Sequence, residues 1–361
     1  MRLSFEVDSF VHQTGSAQVK RLSRTVYAVA FSRWKRRPLR LCFPGWNVRF
    51  VGDVSKVPCG AVVAVWGPHE IADAEARRFR VVRIEDGFLR SVGLGADLIR
   101  PLSWVLDWRG IYFDATRPSD LEVLLAETIF SAELLERAAA LRECIVATGV
   151  TKYNVGTAQW RRPADVSRAV LVPGQVESDA SIAYGAPEIK TNLDLLKAVR
   201  AANPDAYVLY KPHPDVAAGM RAKGKGEDAA ARWCDEVVID VPMGDLLREV
   251  DEVHCLTSLA GFEALLRGKK VVCYGQPFYS GWGLTEDKAP VVRRTRRLSL
   301  DELVTGAMIL YPLYMSHTSD ALISPEEALD ELIEWRRRDG GAVPWWRAMF
   351  RVVLRCFVGV R

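Results

Sequence analysis

Residues 251–283, DEVHCLTSLAGFEALLRGKKVVCYGQPFYSGWG, constrain the fold more than any other stretch of the chain. Val253–Leu256 is a short apolar run of strand type, and Thr257 and Ser258 follow where a helix N-cap belongs. Leu259–Arg267 has helical spacing, Gly268 stops it, and Lys270–Tyr274 resumes as a buried strand. Strand, helix and strand in that order predict a βαβ unit and parallel strands. A strand running into a helix start holds phosphate well, because the first amides lack intrahelical partners and the dipole is positive there. Glu263, about one turn into the helix, can reach the hydroxyls of a bound ribose. Any βαβ unit shares this pattern, so the rest of the chain must decide whether it is a site.

The length of 361 residues suits two domains of roughly 150 each. Half the residues are apolar, enough for large cores and too many for global disorder. Seven cysteines, odd in number and without a CxxC pair, read as reduced thiols of a cytosolic protein. Five histidines without ligand spacing predict no metal site, and no nucleic-acid partner is expected. No apolar run approaches the ~20 residues that span a bilayer. The start, MRLSFEVDSF, has no signal-peptide core. The net charge is only +4, yet residues 1–50 hold ten Lys/Arg against two acids, including the run Arg33–Arg40. That patch suits phospholipid head groups or another anionic partner, and equally a solvated face.

Residues 1–38 read as a basic helical arm, followed by strands at Leu39–Phe43, Ala61–Trp66 and Val81–Ile84 with a helix over 71–80. The turn signals PGW, GPH and EDG bound these strands, so a parallel sheet is expected. The segment EDGFLRSVGLGADLIRPLSWVLDWRGIYFDATRPSDLE reads as a long loop, and such loops at strand ends line sites. Residues 120–149 are helical, and 151–165 form a linker. A second α/β series follows, with strands Ala169–Val172, Ala206–Lys211 and Val237–Val241 and helices Thr191–Ala202 and Gly244–Val250. The expected fold is α/β and GT-B-like, two Rossmann-like doubly wound domains facing across a cleft. The expected division is 1–160, 161–320 and a closing segment 321–361. In that last segment SPEEALDELIEWRRR is a helix, with Ser N-cap, Pro at N1 and acids in the first turn. The tail places Arg347, Arg351 and Arg355 on one helical stripe away from Trp346, Phe350 and Phe357, the pattern of an interfacial membrane helix.

Three strand-end loops carry candidate chemistry. In YKPHPDV the prolines hold Lys211 and His213 extended, as two cationic donors for a departing phosphate. In VPGQVESDASI, Glu177 or Asp179 can attack an anomeric carbon or act as a base, and the same spacing fits a helix cap by Ser178 or Asp179. Glu85 and Asp86 end the strand on the opposite lip, where one can deprotonate an acceptor hydroxyl. Asp86 before Gly87 also fits a turn cap, which favours Glu85. Arg90, Ser91, Tyr279 and Trp282 are placed at the acceptor or cleft.

Together, EDGFLRSVGLG, GIYFDATRPSDLE, GQVESDASI, KPHPD and TSLAGFEALLRGKKVVCYGQPFYSGWGLTED closely resemble the KpsC-type β-Kdo transferases of bacterial capsule assembly, from about residue 80 to 290. The resemblance implies a GT-B-like, metal-independent enzyme that takes Kdo (3-deoxy-D-manno-oct-2-ulosonic acid) from CMP-Kdo with retention. It implies a covalent adduct on the aspartate of Q-x-x-x-D, here Gln175 and Asp179. His213–Pro214 then hold the CMP phosphate, with Thr257 and Ser258 at the matching helix start. No cofactor beyond the donor substrate is expected. The implied partners are CMP-Kdo, a lipid or saccharide acceptor, the anionic inner face of the inner membrane and other capsule-assembly proteins. The implied location is cytoplasmic and peripheral on that face. The best-known members carry two such modules in tandem. A single set of motifs appears here, so one linkage type is expected. Two alternatives stand beside this reading: a transferase for another CMP- or CDP-activated donor, and a non-catalytic scaffold of an export complex.

Overall fold

A computed structural model describes residues 24–71, 73–93 and 99–339. Most of the basic arm and the whole arginine-striped tail therefore lie outside the described residues. In chain order, the first elements are β1 (Thr25–Val29), α1 (Arg36–Cys42), β2 (Asn47–Val51), β3 (Val62–Trp66), β4 (Arg80–Asp86) and β5 (Ser103–Asp107). Helices α2 (Asp120–Glu127) and α3 (Ala132–Thr148) follow. The second series comprises β6 (Ala169–Pro173), α4 (Ala180–Gly185), α5 (Asn192–Ala202), β7 (Tyr207–Lys211), α6 (Pro214–Ala217), β8 (Glu236–Val237) and α7 (Met243–Glu249). It continues through β9 (Glu252–Cys255), α8 (Leu259–Leu266), β10 (Lys270–Cys273) and β11 (Glu286–Asp287). The described chain closes with α9 (Leu300–Val304), β12 (Pro312–Met315), β13 (Leu322–Ile323) and α10 (Pro325–Asp339).

The second sheet has the order β11-β10-β9-β6-β7-β8 and every pairing is parallel. Its central strands, AVLVP in β6 and EVHC in β9, are buried along their length as a sheet covered on both faces requires. The chain leaves β6 toward β7 on one side and returns to β9 on the other. The β6–β9 boundary is therefore the switch point, and α/β sheets bind ligands at the carboxyl ends of such strands.

The first sheet is mixed, in the order β13-β12-β5-β4-β3-β1-β2. Strands β1 to β4 are parallel, but β5 runs against β4, and β12 runs against β5. The doubly wound form expected here holds only for the parallel part. Residues 312–323 supply two strands of this sheet, so it is built from both ends of the described chain. The architecture is nonetheless the two-domain α/β plan of the GT-B-like class.

Several local expectations are corrected. Thr25–Val29, read as part of a helical arm, is an inner strand, because TVYAV alternates half-buried and buried positions between β2 and β3. Leu39–Phe43, read as a strand, falls largely in α1, where Arg36 and Arg40, four apart, both lie over the Phe50 ring. Residues 73–78 are turns rather than helix, with Asp73 and Arg78 at positive φ. The long loop after β4 contains β5. Pairing with that strand extends β4 through Glu85 and Asp86, where a turn was expected. The expected strand Val237–Val241 is only the two-residue edge strand β8. Helix α10 starts as expected, its Ser324 Oγ accepting from the Glu327 amide.

One core cluster spans both halves, joining Phe88, Leu121 and Leu141 to Leu171, Val253 and Phe262. At the seam Phe88 stacks on Phe278 at 4.5 Å, and Tyr112 meets Phe88 edge-on at 4.9 Å. Among the described residues no helix is long and apolar enough to cross a membrane.

Candidate active site

A cavity of about 910 Å³ lies between the sheets, with Phe278 and Tyr112 of the aromatic seam in its wall. It brings together Glu85, Asp86, Arg90, Gln175, Asp179, Lys211, His213, Pro214, Thr257, Ser258 and Glu263. The loops after β6, β7 and β9 therefore converge on one pocket at the switch point.

Gln175 ties the two switch-point strands together. Its amide nitrogen donates to Thr257 Oγ1 at 3.0 Å, and its carbonyl accepts from the Thr257 backbone at 2.9 Å. The preceding residue must be Gly174, because a Cβ there would meet the Tyr210 hydroxyl at 2.6 Å. Ser258 caps α8, its Oγ accepting from the Ala260 amide, so the helix start faces the cavity.

The two carboxylates of the VPGQVESDASI loop separate cleanly. Glu177 accepts the Asn192 amide on one oxygen and the Lys225 amide on the other, each at 2.8 Å, and does not line the cavity. Asp179 lines it. Asp179 also caps α4, with Oδ1 accepting the Ser181 amide at 2.8 Å. The cap and the site thus coexist in one residue, and the charge of Asp179 is felt by Lys152, His213 and Tyr112.

The pair expected as cationic donors is corrected on both counts. The Lys211 ammonium donates to the carbonyls of Ile239 and Val241 at 2.9 and 2.7 Å, and burial lowers its pKa to about 8. It fastens the β7 end to the residues after β8. His213 caps α6 through Nδ1, which accepts the Asp215 amide at 3.1 Å. Burial depresses its pKa and the Lys152 charge adds to this, against Asp215 and Asp179. A neutral ring with Nδ1 as acceptor carries its proton on Nε2, so His213 is a neutral donor.

On the opposite lip Arg90 Nε binds Asp86 Oδ2 at 2.7 Å, and Arg90 Nη1 reaches Ser91 Oγ at 2.9 Å. Asp86 is thereby committed to an ion pair. Burial and the adjacent Asp86 charge raise the Glu85 pKa to about 7, with Lys35 and Lys152 acting the other way. Ser91, Tyr279 and Trp282, expected at the cleft, are core residues. The Tyr279 hydroxyl lies against Cys255 Sγ and bonds the Ser258 carbonyl, both under α8. The Trp282 indole donates to the Phe278 carbonyl at 2.8 Å beneath Arg294.

Residues read as a linker turn out to wall the site. Residues 151–154 bond back to the loop after β4, with the Ser91 and Gly93 amides donating to the Lys152 and Tyr153 carbonyls. Lys152 and Tyr153 thereby line the cavity. Lys152 keeps a raised pKa, because Tyr153, Asp86 and Asp179 outweigh the burial that opposes its charge. Trp34, Lys35, Trp66 and Arg221 also line it; Trp34 and Lys35 fall in the basic run Arg33–Arg40, and none of the four is assigned to the site from sequence. The Lys-Tyr-Asn run beside Gly156 was the available signal. Among the described residues no group of three His, Cys, Asp or Glu side chains is placed to hold a metal.

Glu263 is buried and accepts the Lys152 amide at 2.7 Å. Burial raises its pKa from 4.5 to about 7, against the charges of Arg267 and Lys152 and that hydrogen bond. A carboxyl with a raised folded-state pKa stabilises the fold below its unfolded value and loses that contribution as pH rises through the folded value. Glu263→Gln keeps the acceptor and removes the ionisation. Denaturant titrations from pH 4.5 to 8 should show the variant gaining on wild type through this window, by at most about 3 kcal/mol. A constant difference across the window would place the strain elsewhere.

A nucleotide-type pocket at a parallel switch point, faced across a cleft by a second α/β half with its own acids, defines a protein of GT-B-like glycosyltransferase architecture. The chain belongs to the capsule polysaccharide biosynthesis protein family, which matches residues 64–161 and 155–319. It is 49% identical over 298 residues to the lipopolysaccharide-processing protein LpsZ of Rhizobium meliloti, covering 78% of this chain and 68% of that protein. It is 44% identical over 331 residues to the capsule polysaccharide modification protein LipA of Neisseria meningitidis serogroup A, covering 88% of this chain. The match covers 47% of LipA, so the chain spans about half the length of that relative. Among solved structures, the Thermosulfurimonas dismutans KpsC β-Kdo 2,7 transferase aligns with TM-score 0.72 and 42% identity, over 86% of this chain and 99% of that one. The β-Kdo 2,4 transferase of the same protein aligns with TM-score 0.74 and 34% identity, over 85% and 97%. Homology to the KpsC-type transferases is thus evident in both sequence and structure.

Proposed function

We propose that the chain is a retaining β-Kdo transferase that moves Kdo from CMP-Kdo to a lipid-linked or saccharide acceptor in surface polysaccharide synthesis. The observation that carries this reading is the convergence of Asp179, His213 and the α8 start on one cavity, with Glu85 on the opposite lip. CMP phosphate sits against the α8 amides and His213 Nε2–H, and Glu263 meets the ribose. Asp179 attacks the anomeric carbon of Kdo. The carbon–oxygen bond to phosphate breaks, and CMP leaves with the electron pair. An acceptor hydroxyl then displaces Asp179 while Glu85 takes its proton, and two inversions give retention. Lys152 and Arg90 are the cations available to the Kdo carboxylate. Arg33, Arg36 and Arg40, exposed beside the cavity-lining Trp34 and Lys35, suit an anionic membrane surface and support a peripheral cytoplasmic location against it. Incubation of the intact protein with CMP-Kdo tests the reading: CMP release and a mass increase of one Kdo are expected, and CMP release with a different donor instead would redirect it.

A base with a pKa of about 7 acts only when ionised, so turnover should rise with pH through about 7 and level off above it. Asp86 pushes that limb up, whereas Lys35 and Lys152 pull it down. Glu85→Gln should lower kcat by roughly 10²- to 10³-fold and flatten the limb. A variant that keeps the wild-type profile would assign the base elsewhere.

A further inference from the structure

We propose that the Tyr112 hydroxyl is a further catalytic group of this site, a neutral donor that stabilises the Asp179 carboxylate as it leaves the sugar. The proposal rests on the reading that Asp179 carries Kdo as a covalent adduct. Tyr112 lies in the loop between β5 and α2, and it lines the cavity together with Glu85, Asp86 and Asp179. The loop is firmly held. Asp107 accepts the Arg109 and Gly110 amides on Oδ1, at 3.0 and 2.7 Å, and the Asp120 amide on Oδ2 at 2.9 Å. The Tyr112 ring is met edge-on by Phe88 at 4.9 Å, Phe113 at 5.3 Å, Phe278 at 5.8 Å and Tyr311 at 6.5 Å. These contacts fix the ring plane and leave the hydroxyl only its own rotation.

Nothing in that packing uses the hydroxyl. It donates to the Asp86 carbonyl at 3.3 Å, longer than an ordinary O–H···O bond, so its proton can turn to a better acceptor. Burial pushes the Tyr112 pKa well above the usual phenol value, and the charges of Glu85, Asp86, Asp179 and Tyr153 push it further. The phenol therefore keeps its proton and acts as a donor. Asp179 Oδ1 accepts the Ser181 amide, which leaves Oδ2 for the anomeric carbon. When the adduct breaks, the bond from Oδ2 to that carbon is lost and its electron pair returns to Asp179. The Tyr112 O–H then donates to the oxygen that has gained the charge, and no proton is transferred. A hydrogen bond to an ionised acceptor is about twice as strong as one to a neutral acceptor. The hydroxyl thus favours the free carboxylate over the ester, and it keeps the adduct from becoming a trap.

The test needs no acceptor, because CMP breaks the same bond when the first step runs backward. The full chain is mixed with CMP-Kdo and CMP at fixed ratios, and intact mass reads the fraction that carries Kdo. Tyr112→Phe keeps the ring and its contacts and removes only the donor. The ratio of adduct to free enzyme should rise about tenfold in this variant. Discharge of the adduct by excess CMP should slow by up to about tenfold, while adduct formation is not slowed. Replacing Tyr112 with 3-fluorotyrosine, a stronger donor, should move the ratio toward free enzyme. A residue that serves packing alone would slow both directions or neither, and the ratio would stay within about twofold of wild type. That result overturns the proposal and leaves the function standing. Retained CMP binding is the folding criterion. If Tyr112→Phe fails it, the fluorotyrosine protein decides, and a ratio that does not move toward free enzyme overturns the proposal. A protein that gains no Kdo in wild type or either variant sinks the covalent reading itself, and the role of Tyr112 with it.

Discussion

Asp179→Asn is expected to reduce CMP-Kdo turnover by at least about 10³-fold while leaving CMP affinity nearly unchanged. Asparagine suits this test better than alanine. Asp179 caps α4 through the Ser181 amide, and asparagine is an equally good N-cap, so the helix end and the loop geometry persist. What disappears is the carboxylate proposed to form the bond to the anomeric carbon. The neighbouring Glu177 cannot substitute, since both its oxygens bind backbone amides outside the cavity. Intact-mass analysis sharpens the result: wild type gains one Kdo on mixing with CMP-Kdo and the variant gains none. Full turnover in Asp179→Asn would remove the double displacement and leave a mechanism in which the acceptor attacks directly.

Much of this site is legible in the chain because it depends on local patterns. Thr257 and Ser258 follow a short buried strand and precede helical spacing, so the α8 start and its place at a sheet end can be read off residues 253–267. Asp179 and Gln175 have fixed places after a second such strand. The side-chain directions are another matter, since they are set by partners distant in sequence. Lys211 turns toward carbonyls 28 and 30 residues away, and Tyr279 and Trp282 turn into the core under α8 and Arg294. Lys35 and Trp66 enter the cavity only because β1 sits beside β3, a pairing that a basic, helix-like segment conceals. The mixed first sheet is hidden for the same reason: β5 lies within an apparent loop, and β12 joins it from more than 200 residues away. Periodicity reports which face of an element is apolar. It does not report which distant strand will cover that face.

The seam that holds the two halves together carries the second large effect. Glu122 on α2 is buried and accepts from both Arg293 and Arg294, and its bond to Arg294 Nε is 2.9 Å. Arg294 in turn donates through Nη1 to the carbonyls of Pro277 and Ser280 at 2.5 and 2.9 Å. A carboxylate of the first half is therefore connected to the loop bearing Phe278, which stacks on Phe88 and lines the cavity. Glu122→Ala leaves the Arg294 guanidinium buried without its counter-charge, and the expected loss is about 3–5 kcal/mol in denaturant unfolding. Arg294→Met alone should also destabilise, by leaving Glu122 with Arg293 alone of its two arginine partners and freeing the two carbonyls. The double variant separates the two contributions. If the loss comes mainly from an uncompensated charge, removing both partners should cost clearly less than the sum of the single losses, with coupling of about 1–3 kcal/mol. Simple additivity would instead assign the effect to the carbonyl clamp on the 277–280 loop. In that case the Arg294→Met variant, even where it remains folded, should lose acceptor affinity as Phe278 loosens, while CMP binding at the α8 start holds.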